Sequence, residues 1–385
     1  MKHAILYILL AAVLILTACQ QTGESRQETE KAPANLSQWT AFRGDPGLTG
    51  VSRDTLPDSP ELLWVFETGS QIIGTPVVGP RLVYTGALDG VVYAADRVNG
   101  KKVWTFDTGD DIEASPLLVD STLYIGNLSG RFLALDAADG TVRWEYDLKE
   151  SIHGSATVAA ADSGGESLIF VGCYDASMYC FGAASGTLRW SYQSGDYING
   201  SPATDGEFLV FGGCDERLHI LSVLSGDMLG EVAAGSYVPG SPALAGGHIY
   251  VGQYGNTLIC VNVHAMSIVW KYMAEGPFFS SPAVGDDAVV IGSRDESLHC
   301  VERESGVLRW TFRTRDEIDS SPVIAAGRVV AASMDGRLYL LDLKSGDLVW
   351  SYEIGAAVSG SPAAAGNRIH IGADDGRLYT FGVKR

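Results

Sequence analysis

Positive charge is scarce in this chain of 385 residues: 27 lysines and arginines stand against 46 aspartates and glutamates, a formal net charge of −19. That deficit excludes strong nucleic-acid binding through phosphates, which needs a basic face. The acid is spread along the chain and reads as a soluble, self-repelling surface. Apolar runs are short as well. The longest, Ala4 to Leu16, falls below the roughly 20 residues that a membrane-spanning helix needs. No window carries a 3.6-residue period long enough for a helix pair, which excludes a helical solenoid. There is no adjacent pair of cysteines, no zinc-ligand spacing, no nucleophile–base pair and no phosphate-binding loop. The Asp-Gly and Gly-x-Gly matches belong to hairpins.

What the chain does have is glycine, 46 in all, and a period. Ser/Thr-Pro or its equivalent recurs at Pro76, Pro116, Ala156, Pro202, Pro242, Pro282, Pro322 and Pro362. The spacing is 40 throughout except for one interval of 46, which holds the insert Asp162-Ser163-Gly164-Gly165-Glu166-Ser167, a surface loop by composition. Tryptophan keeps step at Trp64, Trp104, Trp144, Trp190, Trp270, Trp310 and Trp350, with Gly230 in the missing place. Within one unit, Thr75–Val78, Leu82–Ala87, Val91–Ala95 and Lys102–Phe106 read as strands, with Asp89-Gly90 as a hairpin turn. Four short strands per period of about forty residues make a β-propeller blade.

The arithmetic of closure predicts eight blades. A fourth-type strand, Leu62 to Phe66, precedes the first complete unit, and the last unit stops after its third strand at Phe381. The early strand therefore fills the outer place in the last blade, so the fold class expected is an all-β, eight-bladed propeller of four-stranded antiparallel blades, sealed by its own two ends and monomeric.

The leading segment has its own logic. Lys2 and the apolar stretch after it form a signal peptide over 1–18, and Leu16-Thr17-Ala18-Cys19 resembles the lipobox of bacterial lipoproteins. The resemblance implies acylation of Cys19 and a membrane anchor of several acyl chains. Residues 19–38 read as a flexible tether and 39–385 as the propeller. Gln20 rather than aspartate after the cysteine favours, by the sorting rule that the resemblance carries, the outer membrane facing the periplasm.

The link Ala94-Ala95-Asp96-Arg97-Val98-Asn99-Gly100-Lys101-Lys102-Val103-Trp104 resembles the tryptophan-docking motif A-x-D-x-x-x-G-x-x-x-W of the PQQ-repeat, or quinoprotein alcohol dehydrogenase-like, propellers. It returns at Ala134, Asp136, Gly140 and Trp144, and more weakly at Asp342, Gly346 and Trp350. The resemblance covers Trp39 to Arg385 and includes the lead-in Trp39…Phe42-Arg43-Gly44. It implies that each Trp packs between blades with its N–H on a backbone partner. For function it leaves three readings. One is a non-catalytic, BamB-like lipoprotein scaffold that binds other envelope proteins, β-barrel assembly components among them, and needs no cofactor. Another is a propeller that binds a saccharide or peptide. The third is a PQQ-dependent periplasmic dehydrogenase holding PQQ with Ca²⁺, whose adjacent cysteines and capping loops this chain lacks. The scaffold matches best in its lipobox, tether and blade count.

A site is expected on the face where the second-to-third strand loops and the links between blades gather. Three positions before the proline column stand Ile73, Glu113, His153, Asn199, Pro239, Phe279, Asp319 and Ser359, a chemically mixed ring. The column just before it, Ile72, Ile112, Ile152, Ile198, Val238, Phe278, Ile318 and Val358, is apolar and reads as core. Further back come Asp111, Tyr197, Tyr237 and Glu317. The candidate binding face is Asp111, Glu113, His153, Tyr197, Asn199, Tyr237, Phe278, Phe279, Glu317 and Asp319, its aromatics suited to a peptide or protein. One histidine and few carboxylates give neither a metal set nor a catalytic group. Cys180, Cys260 and Cys300 replace Ala94 as small buried residues, and His219 and His299 replace Tyr93 as structural ones. A disulfide between Cys173 and Cys214 stays open.

Overall fold

Each period folds as one antiparallel sheet. In the first, Val77–Val78, Leu82–Gly86, Val91–Asp96 and Lys102–Asp107 pair in chain order, and the pattern repeats to give eight sheets. The computed structural model describes residues 37–160 and 165–384. The signal segment, Cys19, most of the tether and the start of the six-residue insert lie outside the described residues. No helix occurs among the described residues. Second strands such as Ala288–Gly292 are buried along their whole length, because a neighbouring blade covers each face. Outer strands such as Val142–Asp147 stay largely in solvent.

The ring closes as the count predicts. Glu61–Glu67 pairs antiparallel with Arg377–Gly382 and completes the last blade. Ion pairs Arg377–Glu67 and Lys384–Glu61 cross the same seam.

The tryptophans clamp successive blades. The indole N–H groups of Trp64, Trp104, Trp144, Trp190, Trp270 and Trp310 donate to the carbonyls of Arg97, Ala137, Ala183, Val223, Arg303 and Leu343. Each ring lies against a turn glycine of the next blade. A Cβ on Gly140 would stand 2.7 Å from Trp104, and Gly140 has φ +78°, so glycine is required there twice over. Trp350 departs from the expectation. The outer place of the last blade is taken by Glu61–Glu67 rather than by a strand that follows its third, so among the described residues no third-to-fourth strand turn faces this ring. Its ring packs on Tyr352 and Phe381 instead.

The segment from Ser37 to Asp54 enters the central channel, which the sequence did not reveal. Trp39 exchanges two backbone hydrogen bonds with Val78 on the first inner strand. The amides of Leu118, Thr204, Leu244, Val284 and Ile324 then donate in turn to the carbonyls of Thr40, Pro46, Gly47, Thr49 and Gly50. The Thr157 hydroxyl reaches Pro46 from the third blade, and the Gly366 amide of the eighth donates to the Ser37 hydroxyl. Val51–Ser52 finishes as a short parallel strand on Val323–Ala325. Inner-strand amides that would otherwise face the channel unpaired are satisfied by this strap.

Arg43 fixes the middle of the strap. It is fully buried and in no ion pair among the described residues, and its guanidinium donates to the Ser321 and Pro322 carbonyls. Burial pulls its pKa down to about 9, against the pull of Asp45, so it stays charged at neutral pH.

Candidate functional site

Going from the mouth of the channel along the link that leads into any inner strand, the chain passes a rim, a wall and a girdle before it meets the strap. The girdle is the residue before the proline column. The amides of Thr75, Ser115, Ser155, Ser201, Ser241, Ser281 and Ser321 each donate to the serine hydroxyl of the next blade, at 2.7 to 2.9 Å. The last link, from Ser361 back to Thr75, is not made, and Thr75 Oγ1 is buried without a partner. Strap contacts come three residues further on, about 10 Å deeper at 3.3 Å per residue. The channel is thus a well open at one mouth, with Phe42 of the strap among its lining residues and a volume of about 540 Å³.

All eight members of the mixed ring, from Ile73 to Ser359, line this well. Among the predicted face residues it brings together Glu113, His153, Asn199, Tyr237, Phe279 and Asp319. Asp111, Tyr197 and Glu317 stand outside it on the rim, where their carbonyls accept the amides of Leu128, Cys214 and Met334. Phe278 does not belong to the face. It is fully buried, with its side chain over Gly252 and Ile291, because it sits in the apolar column that turns into the core.

Side chains around the mouth pair into two arcs. In one, His153 Nδ1 lies 2.6 Å from Glu113 Oε2, its ring packs tilted on Tyr174 at 4.0 Å, and Tyr174 stacks on Tyr197 at 5.0 Å. In the other, Tyr237 stacks on Tyr254 at 4.4 Å, Tyr254 meets Phe279 edge-on, and the Arg294 guanidinium lies 3.5 Å over the Phe279 ring. Arg294 also grips Asp319 with two hydrogen bonds of 2.8 and 2.7 Å and approaches Glu317 at 3.3 Å. These carboxylates, Asp319 first, hold the guanidinium above its ordinary pKa. Burial raises the pKa of Tyr174 and Tyr237, so both stay neutral.

Three contributors were missed from sequence: Tyr174, Tyr254 and Arg294. They share one repeat position in the second-to-third strand turn, with Leu88, Leu128, Cys214, Met334 and Asp374. In each blade the amide at this position donates to the carbonyl of the rim residue, at 3.0 Å for Tyr254 on Tyr237. A column as mixed as the ring itself was the available signal.

The five cysteines among the described residues do not pair. Cys173 and Cys214 are both free; Asn199 Nδ2 donates to Cys214 Sγ at 3.1 Å, and Cys173 Sγ donates to the Glu150 carbonyl. Cys180, Cys260 and Cys300 are buried as expected, and burial pushes their thiols up to about 12, 11 and 12. His219 and His299 are buried and bond Asp215 and Asp295 four residues earlier, the contact Tyr93 makes to Asp89. The described residues of the well offer no ready set of calcium ligands. Calcium takes six to eight oxygen ligands, and no group of three His, Cys, Asp or Glu among the described residues could hold a metal. Glu113 and Asp319 are each engaged by a basic partner.

Comparison with known proteins agrees with this geometry. BamB from Moraxella catarrhalis is similar at 20% identity and a TM-score of 0.70, over 85% of this chain and 98% of that one. Quinohemoprotein alcohol dehydrogenase from Comamonas testosteroni is similar at 15% identity and 0.73, over 91% and 81%. The computationally designed Ika8 protein reaches 0.73 at 16% identity, over 84% and 100%. Likeness at such identities shows a shared fold. No curated protein matches the sequence. The profile of the family described as "Beta-alanine-activating enzyme, beta-propeller" matches residues 112–326, more than half of the chain, and to that β-propeller family the chain belongs.

Proposed function

We propose that this chain is a non-catalytic scaffold, anchored by lipid at Cys19 in the outer membrane, that docks other envelope proteins on the rim of the propeller. The observation that carries the reading is the pair of aromatic arcs, which present Tyr197 and Tyr254 to solvent beside the charged ends Glu113, Glu317 and Asp319. Exposed tyrosines backed by rigid stacking lose little freedom on binding and are favoured interface anchors. The structural neighbour BamB and the lipobox resemblance support an envelope setting, with β-barrel assembly components as the first partners to seek. The lack of a calcium-ligand set among the described residues supports the non-enzymatic side.

Affinity capture from detergent-solubilised membranes, read by mass spectrometry, tests the proposal. Envelope proteins recovered with the native chain and lost with Tyr197→Ala/Tyr254→Ala would support it. Equal recovery with both would refute docking at the rim. Dye reduction on addition of PQQ and Ca²⁺ would refute the non-catalytic reading.

A further inference from the structure

We propose that the well beneath the rim is a binding site for a neutral, polyhydroxylated ligand, the end of a saccharide chain. The inference rests on the unpaired polar atoms of the well and stands apart from docking at the rim.

Each girdle serine spends Oγ as an acceptor for the amide of the preceding blade. A hydroxyl offers one donor besides its lone pairs. None of the seven hydroxyl donors, Ser115 round to Ser361, has an acceptor among the described residues, and all seven serines line one cavity of about 540 Å³. That volume lies within the range of small-ligand sites, about 300 to 1,000 Å³. Asn199 presents the opposite need. With its Nδ2 on Cys214, its Oδ1 is buried and has no donor. Whatever fills the well must accept from several hydroxyls and also donate to a carbonyl oxygen.

Charge and shape narrow the choice. An anion entering the well would pass Glu113 and Asp319, whose basic partners are already committed. A cation would pass the guanidinium of Arg294 at the mouth and then meet a girdle of hydroxyls that already accept amides. A neutral sugar meets neither penalty. Its hydroxyls donate and accept at high density, and its C–H face can lie on Tyr174, Tyr237 or Phe279 in the wall. The strap blocks the far end, so one terminal sugar unit enters and the chain behind it leaves by the same mouth.

Calorimetric titration of the native chain with glucose, N-acetylglucosamine and maltose, with citrate and lysine as charged controls, tests this. The expected result is one site for a neutral sugar, no binding of citrate or lysine, and an affinity loss of about tenfold or more in Asn199→Ala and in Tyr237→Ala, about 1.4 kcal/mol each. No binding of any neutral sugar, binding of citrate or lysine instead, or sugar binding unchanged in both variants would overturn it, the first leaving ordered water as the only occupant. Capture with Asn199→Ala separates the two proposals. Partners retained while sugar binding is lost mark the well as a site of its own. Partners absent while the native chain still binds sugar would sink docking alone.

Discussion

Met266 occupies the space that Gly230 leaves empty: a Cβ on Gly230 would lie 2.0 Å from Met266 Sδ. Gly230 holds the place of a docking tryptophan, and Met266, at φ +50°, holds the place of the turn glycine on which that tryptophan would rest. The large and small partners have changed sides across one blade boundary, and the joint stays filled. Gly230→Trp alone should destabilise the protein by about 1–3 kcal/mol through overpacking. Gly230→Trp with Met266→Gly should recover most of that loss by restoring the arrangement of Trp104 and Gly140. Urea unfolding of the four proteins in a double-mutant cycle measures the coupling, expected at about 2 kcal/mol. Strictly additive effects would show that the two side chains do not share the site.

Arg43→Ala removes both hydrogen bonds that its guanidinium makes to the Ser321 and Pro322 carbonyls. Bonds from a charged donor are worth about 1.5–3 kcal/mol each, and some of that is offset by the relief of a buried charge. The expected net loss is about 2–4 kcal/mol. Hydrogen exchange locates it: amides of Leu118, Thr204, Leu244 and Val284 should lose protection together, since all donate to the same strap. Faster exchange confined to the seventh blade would contradict this.

Hairpin turns carry a second, smaller prediction. Ala176 has φ +66° at a position that is glycine in four other blades, among them Gly90 at φ +76°. A left-handed conformation strains any residue with a Cβ. Ala176→Gly should therefore raise stability by about 0.5–1 kcal/mol, read as a higher urea midpoint at unchanged slope.

His370 gives the protein an acid-sensitive core position. It is fully buried, its Nδ1 on Thr380 Oγ1, and burial together with Arg97 and Arg368 holds its pKa well below 6.5. The unfolded chain takes up a proton near 6.5 and the folded chain does not. Stability from this group is therefore complete above that pH and falls as pH drops below it, with a limiting slope of about 1.4 kcal/mol per pH unit. His370→Val copies the residue at the same position in three other blades, Val210, Val290 and Val330. Its unfolding free energy should show a shallower fall between pH 6.5 and 5 than that of the native chain. Parallel curves would mean that His370 is not buried uncharged.

The blades were legible because each repeats the same local instructions, and eight copies outvote any single ambiguous strand. Seam closure was legible for the same reason, since a missing fourth strand at one end and a spare one at the other can be counted. The strap was not. It occurs once, so no period marks it, and it binds through backbone carbonyls, which leave little trace in side-chain chemistry. At the mouth, the mixed ring was found because its column interrupts an ordered alignment. Tyr174, Tyr254 and Arg294 share a neighbouring column that holds the same information, displaced in the third blade by the six-residue insert. Phe278 misled because an aromatic side chain is as suited to a core as to an interface, and only its apolar column tells which.

The strap also acts as a gauge of ring size. Its carbonyls are spaced along one short covalent chain, and each blade must deliver an amide or hydroxyl at the matching angle around the axis. A ring with one sector more or fewer would put those donors out of phase with a chain that cannot stretch to follow. Residues 37–54 are thereby matched to eight sectors, and gain or loss of a single unit would be opposed at the axis as well as at the circumference.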